Sequence, residues 1–215
     1  SNLPFYHIVI KSSIKDKQSP LLLMVHGFGS NEQDLFSFSR AIPSEFTIVS
    51  LRGPINTPGM GYAWYDIYFD LQGNKTYDIE MAIKSRDLIL KCVKDCSKKY
   101  NTDIKNTTLM GFSQGSVLIN AVALTYPKNI KNIISMSGGI DPNIITLSRD
   151  NLNDLSFYIS HGTEDEVLPF NQAKESLDFL NQNKIIFDFE TYPVGHGVCS
   201  ENFKSMLSWL NKKML

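Results

Sequence analysis

The chain has 215 residues, 42% hydrophobic and 20% charged, with 21 basic against 22 acidic residues and a net charge of −1. That balance gives no electrostatic drive toward nucleic acid or an anionic membrane, and no apolar run approaches the ~20 residues of a transmembrane helix. The size and apolar fraction suit one domain over residues 1–215 with a substantial core.

Apolar runs and helical patterns alternate along the chain. The first residues, Ser1-Asn2-Leu3-Pro4, carry neither a charged-then-apolar leader pattern nor an initiator methionine, so a processed form stays open. An alternating strand pattern follows near 5–11 and holds His7 as an ordinary strand position. Apolar strand runs come next near 20–25 and 46–51, with a helical pattern at 31–42 between them. The connection from Gly53 to Tyr77 is long and aromatic, with Met60, Tyr62, Trp64, Tyr65, Tyr68 and Phe69 among Pro and Gly. Loops of that length are functional or mobile more often than not. Two readings stand for it: Met60, Trp64 and Tyr65 border an acyl pocket, or the aromatics pack the loop onto the core. Helical patterns at 78–100, 114–126, 169–182 and 199–213 then alternate with strand runs near 107–112, 132–136, 155–160 and 185–191. The segment 141–153 has room for a short helix. This alternation predicts an α/β fold: a mostly parallel central sheet with helices on both faces and an antiparallel N-terminal strand at one edge. No insertion is large enough for a separate lid domain.

Gly111-Phe112-Ser113-Gln114-Gly115 is a G-x-S-x-G pentapeptide with a strand run before it and a helical pattern after it. That setting makes the motif a nucleophile elbow, with the serine on a strained turn and glycines where backbones cross. A serine hydroxyl is a weak nucleophile until a base takes its proton and an acid orients the base. On elbow scaffolds the chain order is Ser, then Asp or Glu, then His. His196, in Gly195-His196-Gly197, is the histidine after Ser113 that leaves room for an acid between them. Asp165 is the preferred acid because it follows the strand run Phe157–Ser160 at a loop; Glu164 and Glu166 stand beside it as alternatives. Bland readings exist for each, with Asp165 as a helix-start carboxylate and His196 as a turn residue. Acyl transfer also needs donors for the developing oxyanion. The backbone N–H of Gln114 supplies one and that of Phe28, in His26-Gly27-Phe28-Gly29, the other, which leaves His26 structural.

Together these residues resemble the phospholipase/carboxylesterase family of small α/β-hydrolases, which includes acyl-protein thioesterases. The matching segments are HGFGSN (26–31), AWYD (63–66), GFSQG (111–115), SGG (137–139), HGTEDEVLP (161–169) and GHG (195–197). The resemblance spans about residues 18–213. It implies the α/β-hydrolase fold, Ser113 as nucleophile, Asp165 as acid, His196 as base, and Phe28 and Gln114 as oxyanion donors. It also implies hydrolysis of carboxylic esters or thioesters without a cofactor. Phospholipid or lysophospholipid cleavage, peptide cleavage, and a binding module that has lost catalysis are the competing readings. Leu168, a further candidate for contact with the acyl group, stands where the family commonly has valine and Phe28 where leucine is common; both keep the site apolar and leave the acyl-chain preference open. Family members often pair, so a homodimer is an open expectation.

The three cysteines point to a reducing, cytoplasmic setting, with a processed secreted form left open. Cys92 and Cys96, four apart on one helical face, suit free packed thiols better than a disulfide. Cys199 lies near His196 and could mimic a catalytic thiol. No zinc spacing is present, and the expectation is no metal.

Overall fold

The computed structural model describes residues 2–214; Ser1, part of the N-terminal reading, and Leu215, at the end of the predicted domain, lie outside them. The elements in chain order are β1 (His7–Ile10), β2 (Ser19–Val25), α1 (Gln33–Phe36), β3 (Thr47–Leu51), β4 (Ile55–Asn56), β5 (Tyr62–Ala63), β6 (Ile67–Phe69), β7 (Lys75–Tyr77), α2 (Ile79–Tyr100), β8 (Thr102–Phe112), α3 (Gln114–Thr125), β9 (Asn132–Met136), β10 (Ser156–Gly162), α4 (Phe170–Gln182), β11 (Ile186–Tyr192) and α5 (Ser200–Met214).

Seven strands form one sheet in the order β1-β3-β2-β8-β9-β10-β11. β1 runs antiparallel to β3 at one edge, and the other neighbours are parallel. The side chains of each strand point alternately to the two faces. Leu21, Leu23, Val25, Leu109, Ile133 and Phe157 therefore join residues of α2, α3 and α4 in one core cluster. Leu22, Met24, Met110, Ile134 and Tyr158 join Leu35 of α1 and Met206, Trp209 and Leu210 of α5 in another. Burial on both faces explains why these strands read as continuous apolar runs. It also puts helices on both sides of the sheet.

Local chemistry sets the helix ends. The Asp78 carboxylate caps α2 by accepting the Met81 N–H at 3.0 Å. Asn101, in the left-handed region at φ 57°, ends it. Ser113 is the N-cap of α3, but its side chain does not cap.

Three predicted segments differ from what formed. The pattern at 31–42 yields only the single turn of α1 and a 3-10 turn at Ser39–Ala41. Ile42 is extended before Pro43, as a residue preceding proline prefers, and Phe38 turns aside to pack on Phe203 with ring centroids 4.7 Å apart. The 141–153 segment forms two 3-10 turns, Pro142–Ile144 and Leu152–Asp154. The 53–77 connection is structured: β4 pairs β5 and β6 pairs β7, each antiparallel.

Candidate active site

Ser113, Asp165 and His196 follow the C-terminal ends of β8, β10 and β11, the end of a parallel sheet where α/β folds bind ligands. A dent lined by Pro20, Phe46, Asn132 and Leu210 and a groove lined by Lys105, Lys128, Lys131 and Asp154 lie toward the other end of the strands and contain none of the three.

Ser113 links β8 to α3 with φ 56° and ψ −119°, a sparsely populated conformation that persists only when its surroundings over-determine it. They do. The Ser113 N–H donates to the Met136 carbonyl at 3.0 Å. A Cβ on Gly115 would sit 2.0 Å from the Val25 carbonyl oxygen, and one on Gly111 would sit 2.8 Å from the Gly115 carbonyl. Helix α3 can cross this close to β2 and β8 only without side chains at those two positions.

His196 lies between the other two groups. Its Nε2 is 2.9 Å from Ser113 Oγ and its Nδ1 is 2.7 Å from Asp165 Oδ2. A carboxylate only accepts, so the network assigns the proton to Nδ1 and leaves Nε2 free to accept the serine O–H. The ring leans on Phe112, centroids 4.9 Å apart. The Asp165 side chain is fully buried. Its Oδ1 accepts the N–H groups of Val167 at 2.9 Å and Leu168 at 2.8 Å. The neighbouring Glu164 and Glu166 are exposed. Two backbone bonds tie the acid loop to the base loop, from Thr163 N–H to the Tyr192 carbonyl at 2.8 Å and from Glu164 N–H to the Val194 carbonyl at 3.1 Å.

The loop after β2 reaches the same point. A Cβ on Gly27 would lie 3.3 Å from Ser113 Cβ, so Phe28 follows directly beside the serine. The Gly29 N–H donates to the Tyr62 carbonyl at 2.8 Å, and the Tyr62 N–H donates to the Ser30 carbonyl at 2.7 Å. These bonds fix the loop and leave the Phe28 amide out of the Ser30–Tyr62 bridge. The amide of Gln114 is the first of α3, ahead of the intrahelical ladder. His26 is buried under this loop, with Nδ1 donating to the Gly27 carbonyl at 2.7 Å and Nε2 accepting the Gly53 N–H at 3.0 Å. Burial pushes its pKa below the ordinary histidine value, and it does not touch Ser113 or Asp165 through any of these bonds.

Of the residues expected to border an acyl pocket, Trp64 requires correction. It is fully buried. Its indole N–H donates to the His26 carbonyl at 2.8 Å, and Phe5 packs edge-on at 5.1 Å. A ring enclosed on all sides has no face to offer a substrate, so the packing reading holds for it. Tyr65 is 6% exposed and lies against Tyr77, centroids 5.2 Å apart; it too belongs to the packed part of the loop. Met60 is 95% exposed at the turn after β4, with φ 66°. Leu168 is half-buried beside Asp165.

Several supporting side-chain contacts were not read from the sequence. The Gln114 side chain binds the backbone of Trp64 and Tyr65. Glu32 pairs with Arg52, whose guanidinium lies 4.1 Å from the Tyr6 ring centroid and 4.6 Å from that of Tyr62. His161 approaches Asp165. The signal for His161 is its place four residues before the acid.

The thiols stand apart from the site chemistry. Cys92 and Cys96 are free and buried. Burial raises both pKa values, that of Cys96 to about 12, so they are neutral packing groups. Among the described residues no group of three or more His, Cys, Asp or Glu side chains is arranged to hold a metal ion, and no helix is long and apolar enough to cross a membrane.

The sequence profile of the phospholipase/carboxylesterase family matches residues 6–214. The chain belongs to that family. It is 31% identical over 140 residues to a probable carboxylesterase SOBER1-like of Arabidopsis thaliana, covering 61% of this chain and 53% of that protein. The match to carboxylesterase SOBER1 of the same plant covers 51% of that protein, so the chain spans about half the length of these two relatives. Against acyl-protein thioesterase 1 of Cryptococcus neoformans the identity is 25% over 234 residues, covering 94% of this chain and 95% of that one. The carboxylesterase of Bacillus cereus superposes with a TM-score of 0.83 at 22% identity, covering 98% of this chain and 95% of the other. The Mesorhizobium loti carboxylesterase superposes at 0.82 with 18% identity, covering 98% and 96%. These last two likenesses are of fold, and the fold is that of the α/β-hydrolases.

Proposed function

We propose that this family member is a serine hydrolase that cleaves carboxylic esters or thioesters through an acyl-enzyme. The observation that carries this is the unbroken hydrogen-bonded line from Ser113 Oγ through His196 to Asp165, at 2.9 and 2.7 Å. Ser113 Oγ attacks the acyl carbonyl as His196 Nε2 takes its proton. The negative charge that forms on the carbonyl oxygen meets the N–H groups of Phe28 and Gln114, a type of donor worth about 10²–10³ in kcat. His196 then hands the proton to the departing alcohol or thiol. A water, deprotonated by the same nitrogen, attacks the acyl-enzyme and releases the acid. Asp165 holds Nδ1–H and offsets the imidazolium charge in both halves.

The acyl group is apolar in this reading. Phe28 is 46% exposed and Met60 is 95% exposed, on two loops in contact where Gly61 meets Gly29. The buried free thiols fit a reducing compartment such as the cytoplasm, and the chain works as one domain.

Initial rates on p-nitrophenyl esters of increasing acyl length, for wild type beside Ser113→Ala, test this. Activity in the wild type and a loss of about 10⁴-fold or more in the variant are expected. Undiminished turnover by Ser113→Ala would overturn the assignment. Asp165→Asn is expected to lose about 10⁴-fold in kcat; a near-normal rate would move the acid to Glu164 or Glu166.

A further inference from the structure

Asp165 sits on a loop that has little of its own to hold it. Thr163, Glu164, Glu166 and Val167 are all exposed, so apolar burial contributes little and hydrogen bonds carry the conformation. Two of those bonds run from the Val167 and Leu168 amides to Asp165 Oδ1. They orient the carboxylate only if the 167–168 backbone is itself fixed.

His161 supplies the fixed point. It is the penultimate residue of β10, its side chain 1% exposed. Its Nε2 lies 2.7 Å from the Leu168 carbonyl oxygen. A carbonyl only accepts, so Nε2 carries the proton and donates. The same nitrogen is 3.4 Å from Asp165 Oδ2, the oxygen that accepts from His196. Leu168 is thus held at both ends, its N–H on Asp165 and its carbonyl on His161. The next residue, Pro169, has no N–H with which to add an anchor. His161 reaches the triad through Leu168 and Asp165.

We propose that His161 is a positioning residue for Asp165: its Nε2–H pins the Leu168 carbonyl, and so fixes the carboxylate that orients His196. This rests on the reading of Ser113, Asp165 and His196 as a hydrolytic triad. A carboxylate free to swing leaves the imidazole misaligned, and misplacement on the scale of 1 Å costs on the order of 10²-fold.

The test compares His161→Leu, similar in bulk but without a donor, with His161→Gln, whose carboxamide N–H can reach the same carbonyl. Three readouts are taken on the full chain: kcat and KM on a p-nitrophenyl ester, thermal melting, and the low-field proton resonance of the His196 Nδ1–H. His161→Leu is expected to lose about tenfold to a hundredfold in kcat with KM within about twofold, and to weaken or shift the resonance. His161→Gln is expected to recover most of both. Equal losses in the two variants would reduce His161 to a packing residue, and an unchanged kcat and resonance in His161→Leu would remove it from the mechanism. Should His161→Leu not fold, His161→Gln decides alone: a near-wild-type resonance and kcat supports the proposal, and loss of both overturns it. If the wild type hydrolyses neither an ester nor a thioester, the triad reading is what fails, and the resonance still reports whether His161 positions Asp165.

Discussion

The side-chain oxygen of Gln114 accepts the backbone N–H of Trp64 at 2.9 Å, and its nitrogen donates to the neighbouring Tyr65 carbonyl at 3.0 Å. The residue that offers its own amide beside Ser113 therefore also clamps the aromatic loop from across the chain. All three groups are buried. Replacing Gln114 with Leu keeps the bulk and leaves a donor and an acceptor unpaired, at a cost of about 1–3 kcal/mol. The melting temperature is expected to fall by roughly 3–10 °C, measured by circular dichroism. An unchanged melting temperature would mean the clamp contributes nothing.

Gly61 sets the distance between the Met60 turn and the loop that carries Phe28. A Cβ there would lie 1.9 Å from the Gly29 carbonyl oxygen. Backbone cannot yield that much locally, so the Phe28–Gly29 segment must shift. Gly61→Ala is expected to lower kcat by about 10²-fold, in the range of a lost oxyanion donor, with a smaller effect on KM. Steady-state kinetics on one ester decides it: a loss confined to KM would place the effect in substrate binding instead.

Glu32 makes the stability of the fold acid-sensitive. Its hydrogen bond from Arg52 holds its carboxyl below the usual value of 4.5, and the side chain is 5% exposed. Unfolding returns the group to that usual value. The stabilisation is therefore complete above about pH 4.5 and is lost as the pH falls through the lower folded-state value. Burial of His26 acts in the same sense, since its folded pKa lies below 6.5 and its contribution fades as the pH drops under that value. Melting temperatures of wild type and Glu32→Gln from pH 7 to pH 3 are expected to converge on the acid side. Parallel curves would exclude Glu32 as a source of the acid loss.

Much of this arrangement is local in origin, and that part was legible in the residues. A strand run, G-x-S-x-G and a helical pattern are a few residues long and dictate a turn at Ser113 whatever lies around it. The two-sided apolar runs at Leu21–Val25 and Asn132–Met136 likewise require a sheet covered on both faces. Chain order then left His196 as the base that the elbow could use. Other features depend on partners far along the chain. Ser113 and His196 are 83 positions apart, and His196 and Asp165 are 31 apart. Which of three consecutive acidic residues meets the imidazole is fixed by the turn after β10 and by its bonds to the base loop. The 31–42 pattern ends in short turns with Ile42 extended before Pro43 and Phe38 packed on Phe203, and Trp64 is enclosed by Phe5, His26 and Gln114. A periodic pattern records which side chains prefer burial. It does not record which surface will bury them: local pattern was enough for the central strands, the longer helices and the nucleophile's turn, while long-range packing decided what became of the 31–42 and 53–77 segments, which aromatics became core, which carboxylate faces His196, and that His161 stands behind it.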